Sequence, residues 1–361
     1  MPPLDMRAVV YDRTGERPVL TRIAMPECPP DGALVRVEAT GVCRSDWHAW
    51  RGHDPVVLPH VPGHEYAGVV AEVGPEVRGF APGDRVTAPF VNGCGRCEWC
   101  RSGQAQVCPD QTQPGFTHQG SFAEYVVVRA ADTNLVAIPA GVDAVAAASL
   151  GCRFATAYRA VTAHGQVGEG TEVAVFGCGG VGLSAVMIAT ALGATVTAVD
   201  VSPAALERAR ALGAAHTVDA RDADTEEAVG RATGGGAHVT IDAIGSAATA
   251  QTAIRSLRRR GTHVQIGLMF GDDESASVPW GRVIAWELEI IGSHGMPGAD
   301  YPALLDLVRD GRLRPDLLLG SVVDLEGAID ALVAMDDPQS SSGIVVARVD
   351  AVTTTSSKEH A

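Results

Sequence analysis

The segment Gly177-Cys178-Gly179-Gly180-Val181-Gly182 constrains the fold of this chain more than any other. It stands between a short apolar run, Glu172–Phe176, and a stretch in which Val181, Ala185, Ile188, Ala189 and Leu192 recur at helical spacing. A G-x-G-x-x-G in that position has a physical reading. Gly177 allows a tight turn, Gly179 lets backbone approach a pyrophosphate, Gly182 permits close packing of helix on strand, and the helix N-terminal amides face the phosphates. The motif by itself would also suit a plain glycine-rich turn. Asp200 adds to it: it ends the next strand, Thr195–Val199, about 20 residues on, where a carboxylate accepts hydrogen bonds from ribose hydroxyls. A 2′-phosphate there would meet like charge, so NAD(H) is expected over NADP(H).

Around this loop the chain alternates strand and helix. Strands are expected at Glu172–Phe176, Thr195–Val199, His216–Val218, Val239–Ala243, Thr262–Gly267 and Glu289–Gly292. Ser202 as N-cap and Pro203 as first helical residue open one of the intervening helices. Six strands with helical crossovers predict a doubly wound parallel sheet, hence an α/β protein. Residues 1 to about 150 read differently, as short β runs at Arg7–Tyr11, Leu34–Ala39, Glu65–Val73, Arg85–Pro89 and Phe122–Val128, split by Gly and Pro turns into a barrel-like or sandwich-like unit. After Gly298, helices at Tyr301–Arg309 and Leu325–Met335 precede a strand at Gly343–Val349, and a polar tail, Thr353–Ala361, is expected to be disordered.

The composition narrows the partners. The chain has 361 residues, room for about two domains, and Lys+Arg 28 against Asp+Glu 43 gives a net charge of −15. That field repels polyanions and excludes nucleic acid as the main partner. Lys358 is the only lysine, so a cationic anchor in the folded body must be arginine or a metal. The uncharged stretch Val173–Val199 is too rich in glycine for a membrane helix, and no export signal stands at the N-terminus. A cytoplasmic, non-membrane protein is expected, in which clustered cysteines bind metal more often than they pair.

Four of the eight cysteines are clustered: Cys94-x-x-Cys97-x-x-Cys100, then Cys108. Such a lobe can wrap four sulfurs around Zn²⁺ and leave no open position, the arrangement of a structural zinc. An iron–sulfur cluster is the competing reading, weakened by the missing second run. Cys43, His64-Glu65 and Cys152 are dispersed, and no local spacing links them. Alone, each cysteine reads as a small buried hydrophobe.

Together these segments resemble the zinc-dependent alcohol dehydrogenases of the medium-chain dehydrogenase/reductase superfamily, over roughly residues 7 to 349. The resemblance rests on Gly63-His64-Glu65, Cys43-Arg44-Ser45-Asp46, the four-cysteine lobe, the Gly177–Gly182 loop and Ile291-Gly292-Ser293. It implies a Rossmann domain at 153–294 and a β-rich GroES-like catalytic domain at 1–152 and 295–361. It implies two zinc ions per chain, one structural, the other catalytic and held by Cys43, His64 and Cys152. Glu65 would stand beside the second as occasional ligand or supporting carboxylate, and Asp46 would orient His64. Ser45 and His48 match the proton-relay positions. Arg44 matches a pyrophosphate contact and His48 approaches the nicotinamide ribose. Thr156 and Val181 match residues packing on the nicotinamide, while Ile266 and Ser293 match backbone positions near its carboxamide. Trp47, Phe90 and Phe116 are candidate walls of the substrate pocket, and Trp50 suits the core equally.

There are departures. Relatives often carry a basic residue directly after the glycine that opens the last strand, where this chain has Gly343-Ile344, so a second pyrophosphate contact is missing. Cys28 and Cys178 match no ligand position and read as structural. The resemblance implies hydride transfer between an alcohol and NAD, giving an aldehyde or ketone, or the reverse, in a homodimer or homotetramer. Polyol or sugar dehydrogenases and biosynthetic carbonyl reductases of the same superfamily are alternatives, Cys152 speaking against the former. A non-catalytic NAD-binding redox sensor with structural zinc is the alternative of a different class. The sequence does not select the substrate, the direction of reaction, or dimer against tetramer.

Overall fold

A computed structural model describes residues 5–221, 224–337 and 343–349; the expected tail Thr353–Ala361 and Lys358 lie outside the described residues. The strands are β1 (Asp5–Val10), β2 (Val19–Ala24), β3 (Ala33–Val42), β4 (Glu65–Val73), β5 (Arg85–Thr87), β6 (Tyr125–Val128), β7 (Val136–Ala137), β8 (Glu172–Phe176), β9 (Thr195–Asp200), β10 (His216–Asp219), β11 (Ala237–Asp242), β12 (Leu257–Gln265), β13 (Glu289–Gly292), β14 (Leu319–Val323) and β15 (Ile344–Arg348).

Six of them form one sheet in the order β10-β9-β8-β11-β12-β13, every adjacent pair parallel. This is the doubly wound order, with its switch point between β8 and β11, where the crossovers leave a crevice beyond the strand C-termini. The runs VAVF in β8 and VTAV in β9 are buried along their whole length, as a parallel sheet covered by helices on both faces requires. The uncharged stretch at 173–199 is therefore β8, the helix Gly180–Ala191 and β9. No helix among the described residues is long and apolar enough to cross a membrane.

The second sheet has seven strands. β14, β15, β3, β4, β5 and β7 follow in that order and β6 adds to β3. β1 and β2 pair antiparallel beside it. The ten-residue β3 is its spine, pairing with β4, β6 and β15. β15 brings the chain's C-terminal part back onto the N-terminal unit, and their side chains share one core around Trp50, Tyr66, Phe122 and Leu332.

Several elements differ from the sequence reading. β12 starts at Leu257, earlier than expected, because the exposed Arg258, Arg259 and Arg260 continue the strand through an irregularity in its pairing with β11. β2, β7 and β14 carry no strong alternation, and pairing rather than propensity makes them strands. The short helix Arg44–Trp50 and the π-helical turn Leu150–Phe154 were not apparent either. A π turn widens the helix by a residue and is often found at functional sites; here it carries Cys152.

Candidate metal centres and dinucleotide crevice

Three parts of the chain distant in sequence converge on one point. Cys43 directly follows β3 and caps the helix Arg44–Trp50, His64 immediately precedes β4, and Cys152 lies on the π turn. Their ligating atoms all lie within 4.8 Å of one another. Cys43 and His64 are buried, and Cys152 is half-buried. The His64 ring is oriented from behind: its Nδ1–H donates to Asp46 Oδ1 at 2.8 Å. Asp46 is itself fully buried and accepts from the backbone N–H groups of Gly63 and Cys43, each at 3.0 Å. That leaves His64 Nε2 buried without a hydrogen-bond partner among the described residues. An imidazole nitrogen stripped of water and aimed at two sulfurs is costly unless something binds it, so the set fits a thiophilic cation.

The three groups hold their protons unequally. A hydrogen bond with Cys152 lowers the Cys43 thiol well below its ordinary value, and the same bond raises Cys152. Burial would lower the His64 pKa, but the Asp46 carboxylate outweighs it and holds the ring high. The Cys43 thiolate is the form that binds a cation, whereas Cys152 and the His64 ring would give up protons as the cation binds.

Glu65 lies next to this set but faces elsewhere. Its Oε1 accepts the backbone N–H and the Nε–H of Arg153, both at 3.1 Å, and its Oε2 pairs with Nη2 of the same guanidinium. The converging donor atoms are those of Cys43, His64 and Cys152, without Glu65. Arg153 is a residue the sequence reading passed over. A charged side chain directly after a candidate ligand cysteine was the available signal.

The four-cysteine lobe closes as the spacing predicts: the sulfurs of Cys94, Cys97, Cys100 and Cys108 all lie within 4.8 Å of one another. Their surroundings hold the thiols unequally. Burial works against Cys94, but backbone N–H groups of Arg96 and Cys97 bring it down to about 7, whereas burial and the Cys97 sulfur push Cys100 up to about 12. Among the described residues all eight cysteines are free thiols. Cys28 lies in a turn and Cys178 under the glycine loop, both outside the two clusters.

The dinucleotide loop has the geometry its glycines predict. Gly177 has φ +90°, and its N–H donates to Val199 O at 2.8 Å. A Cβ on Gly182 would run into the Gly177 carbonyl oxygen, whereas a Cβ on Gly179 would meet nothing within 4 Å. One glycine is there for packing and the other leaves an open face. Asp200 Oδ2 accepts from Cys178 N at 2.6 Å and Oδ1 from Ser202 N at 2.8 Å, so the carboxylate holds the loop at the C-terminal end of β9. Further along the crevice, Ile266 and Gly267 both donate to Asp242 O, at 3.0 and 2.8 Å, and Ser293 N donates to Gln265 O at 2.9 Å. Ser293 Oγ is buried without a partner among the described residues, Thr156 is buried, and Val181 is half-buried at the start of its helix.

The family follows from setting this whole chain beside known proteins. Residues 29–140 match the alcohol dehydrogenase GroES-like domain, and residues 180–310 match the zinc-binding dehydrogenase domain. An alcohol dehydrogenase of Geobacillus stearothermophilus is 34% identical over 348 residues, 96% of this chain and 100% of that protein. The chain belongs to the zinc-binding alcohol dehydrogenase family. A sorbitol dehydrogenase of Halalkalibacterium halodurans is 34% identical over 79% of this chain and 82% of its own length. The solved alcohol dehydrogenase from Thermus sp. ATN1 superposes with a TM-score of 0.90 at 32% identity, covering 96% of this chain and 100% of that one.

Of the remaining expected site residues, Arg44, Ser45, Trp47, His48 and Trp50 lie on the helix Arg44–Trp50. Ser45 Oγ is 3.9 Å from Cys43 Sγ. His48 is half-buried and its Nδ1 is 3.1 Å from Nδ1 of His53, an exposed residue with no counterpart in the sequence reading. Burial first, then His53 and Arg44, keep the His48 pKa below its ordinary value. Arg44 donates to Met335 O at 2.6 Å and lies over Trp47. Of the expected pocket aromatics, Phe116 and Phe90 face His64, with ring centroids 5.2 and 6.1 Å away. Trp47 instead packs on His48 and His53 and donates to Asp336. Trp50 is 2% exposed and belongs to the core.

Proposed function

We propose that this member of the family is a two-zinc alcohol dehydrogenase, NAD(H)-preferring, that interconverts an alcohol with its aldehyde or ketone. The observation that carries the reading is the buried, unpartnered Nε2 of His64 converging with the sulfurs of Cys43 and Cys152. Three protein donors are the pattern of a catalytic zinc that keeps one position for a ligand, and four thiolates that of a structural one. The domain division that goes with it is 1–152 with 295–361 as catalytic domain and 153–294 as nucleotide domain.

When bound at Cys43, His64 and Cys152, zinc supplies Lewis-acid polarisation of the substrate oxygen. The nicotinamide supplies the carbon that takes or gives the hydride. The chain's own residues do the rest. Asp46 fixes the tautomer and angle of His64 through Nδ1. Ser45 Oγ takes the proton released by the alcohol and hands it towards His48, whose lowered pKa keeps the ring a proton acceptor at neutral pH. Phe90 and Phe116 present apolar faces to the substrate and keep water from the reacting carbon. The amides of the Gly177–Gly182 loop, with Gly180 at the helix start, hold the pyrophosphate together with Arg44. Asp200 holds the ribose hydroxyls and repels a 2′-phosphate. Thr156, Val181, Ile266 and Ser293 seat the nicotinamide, the unpartnered Ser293 Oγ offering it a hydrogen bond.

We place the protein in the cytoplasm and expect a homodimer or homotetramer. β13 is a terminal strand of its sheet, and Ile290 on it, with Ile284 and Trp280 on the helix Trp280–Trp286, is exposed. A polyol dehydrogenase is the second reading, favoured by the likeness to a sorbitol dehydrogenase. Metal analysis should find about two zinc per chain, and absorbance at the NADH band over a panel of alcohols, polyols, aldehydes and ketones, with NAD and NADP in parallel, should show turnover. The Cys43→Ala and His64→Ala variants should lose turnover and one zinc while keeping the other. Full activity in metal-free protein would sink the proposal.

A further inference from the structure

Arg153 is a buried charge that the catalytic scheme leaves unused. Arg153 is 8% exposed and reaches from the π turn to Glu65 on β4, where it makes two 3.1 Å hydrogen bonds and a third through Nη2. Its aliphatic stem passes under the dinucleotide loop. A Cβ built on Gly180, the first residue of the loop helix, would sit 2.7 Å from Arg153 Cδ. Two more glycines make room for the carboxylate end: a Cβ on Gly41 would collide with Glu65 Oε2, and one on Gly151 would lie 3.0 Å from Glu65 Cα. The pair therefore sits in a slot lined by residues without side chains, one wall of which is the loop itself. A guanidinium held by a fork of bonds to one carboxylate has little freedom to move, so what fixes Glu65 also fixes the surface on which Gly180 rests. The chain has no lysine in its described part and no basic residue directly after Gly343.

We infer that Arg153 is a positioning residue that ties the dinucleotide loop at Gly180 to Glu65 on the other sheet, so that cofactor affinity depends on a carboxylate remote from the loop. This rests on the cofactor reading above. It makes a prediction of sign. By charge alone, removing the negative Glu65 should tighten the binding of an anionic dinucleotide. By positioning, Glu65→Gln frees Arg153 from its clamp, loosens the floor beneath Gly180 and weakens binding.

The test is a double-mutant cycle on NADH dissociation constants, read by NADH fluorescence on the metal-loaded full chain, with Tm alongside. Glu65→Gln should weaken binding about threefold or more and Arg153→Gln about tenfold, within the usual range of coupling between sites. The double variant should lie within about twofold of Arg153→Gln, because coupled residues are not additive. Arg153→Lys, which keeps the charge but not the fork, should fall between parent and Arg153→Gln. Equal or tighter binding in Glu65→Gln, multiplicative effects in the double variant, or a lowered Tm with unchanged dissociation constants would each overturn the inference. If Arg153→Gln does not fold, the sign of the Glu65→Gln effect and the Arg153→Lys value decide. A parent that binds NADPH but not NADH is titrated with NADPH. A parent that binds neither overturns the cofactor reading and this inference together, whereas a binding parent with unaffected variants overturns this inference alone.

Discussion

At His64 the imidazole is held from one side by Asp46, and the other nitrogen is left without a partner among the described residues. The carboxylate is in turn held by two backbone N–H groups. A cation site of this kind depends on the residue behind the ligand as well as on the ligand. Asp46→Asn should keep the fold but lower affinity for one zinc by about 10–100-fold, measured by competition with a chelator; unchanged affinity would count against Asp46 as the orienting group. Asp200 is the residue we propose to set cofactor choice at this scale. Asp200→Ala removes the like charge facing a 2′-phosphate, and the ratio of kcat/KM for NAD to that for NADP should fall by tenfold or more, on the order of 1.4 kcal/mol per tenfold. An unchanged ratio would remove Asp200 from that role. Asp200 was legible from its distance to the glycine motif, Asp46 only through the family resemblance. Arg153 was not, because its partners Glu65 and Gly180 lie 88 and 27 positions away in sequence.

Among the elements, the β8 strand, the glycine loop and the helix Gly180–Ala191 form one unit whose parts require each other. The helix starts where it does because Gly182 can lie against the carbonyl of Gly177. Gly182→Ala should lower Tm and weaken cofactor binding together, since the added methyl must separate helix from strand; cofactor titration on the folded variant would show it, and parent-like values for both would argue that the contact is not needed. That unit was readable from a strand, a motif and a 3.6-residue periodicity, all local signals. The helix Arg44–Trp50 was not readable in the same way. It is only seven residues long, and its N-cap is Cys43, an unusual capping residue, so what holds it is packing of Ala49 and Trp50 and the tether of Trp47 and Arg51 to Asp336. The π turn that offers Cys152 likewise has no sequence signature.

Over the whole molecule, the net charge of −15 sits on a protein that buries His60 and His263, where burial lowers their pKa. His263 on β12 is an example: burial lowers its pKa, although Gln265 and Asp242 pull the other way. In the unfolded chain it takes a proton near pH 6.5, its ordinary value. Below that pH the unfolded state binds more protons than the folded one, so stability falls as pH falls. Tm should drop between about pH 7 and 5.5, and His263→Gln should show a shallower drop; identical slopes would exclude this contribution. At this scale the sequence by itself determined the six-stranded parallel sheet, the cofactor loop with its acidic partner, and the four-cysteine lobe. Each is written in spacings of at most about 20 residues, and local backbone geometry converts such spacings into shape. The tertiary structure alone decided the rest. It brought Cys43, His64 and Cys152 within 4.8 Å of one another, turned Glu65 towards Arg153 and laid Arg153 beneath Gly180. Those contacts join the end of β3, the start of β4, a π turn and a loop of the other sheet, and no local periodicity encodes a distance between elements that meet only when both sheets are packed.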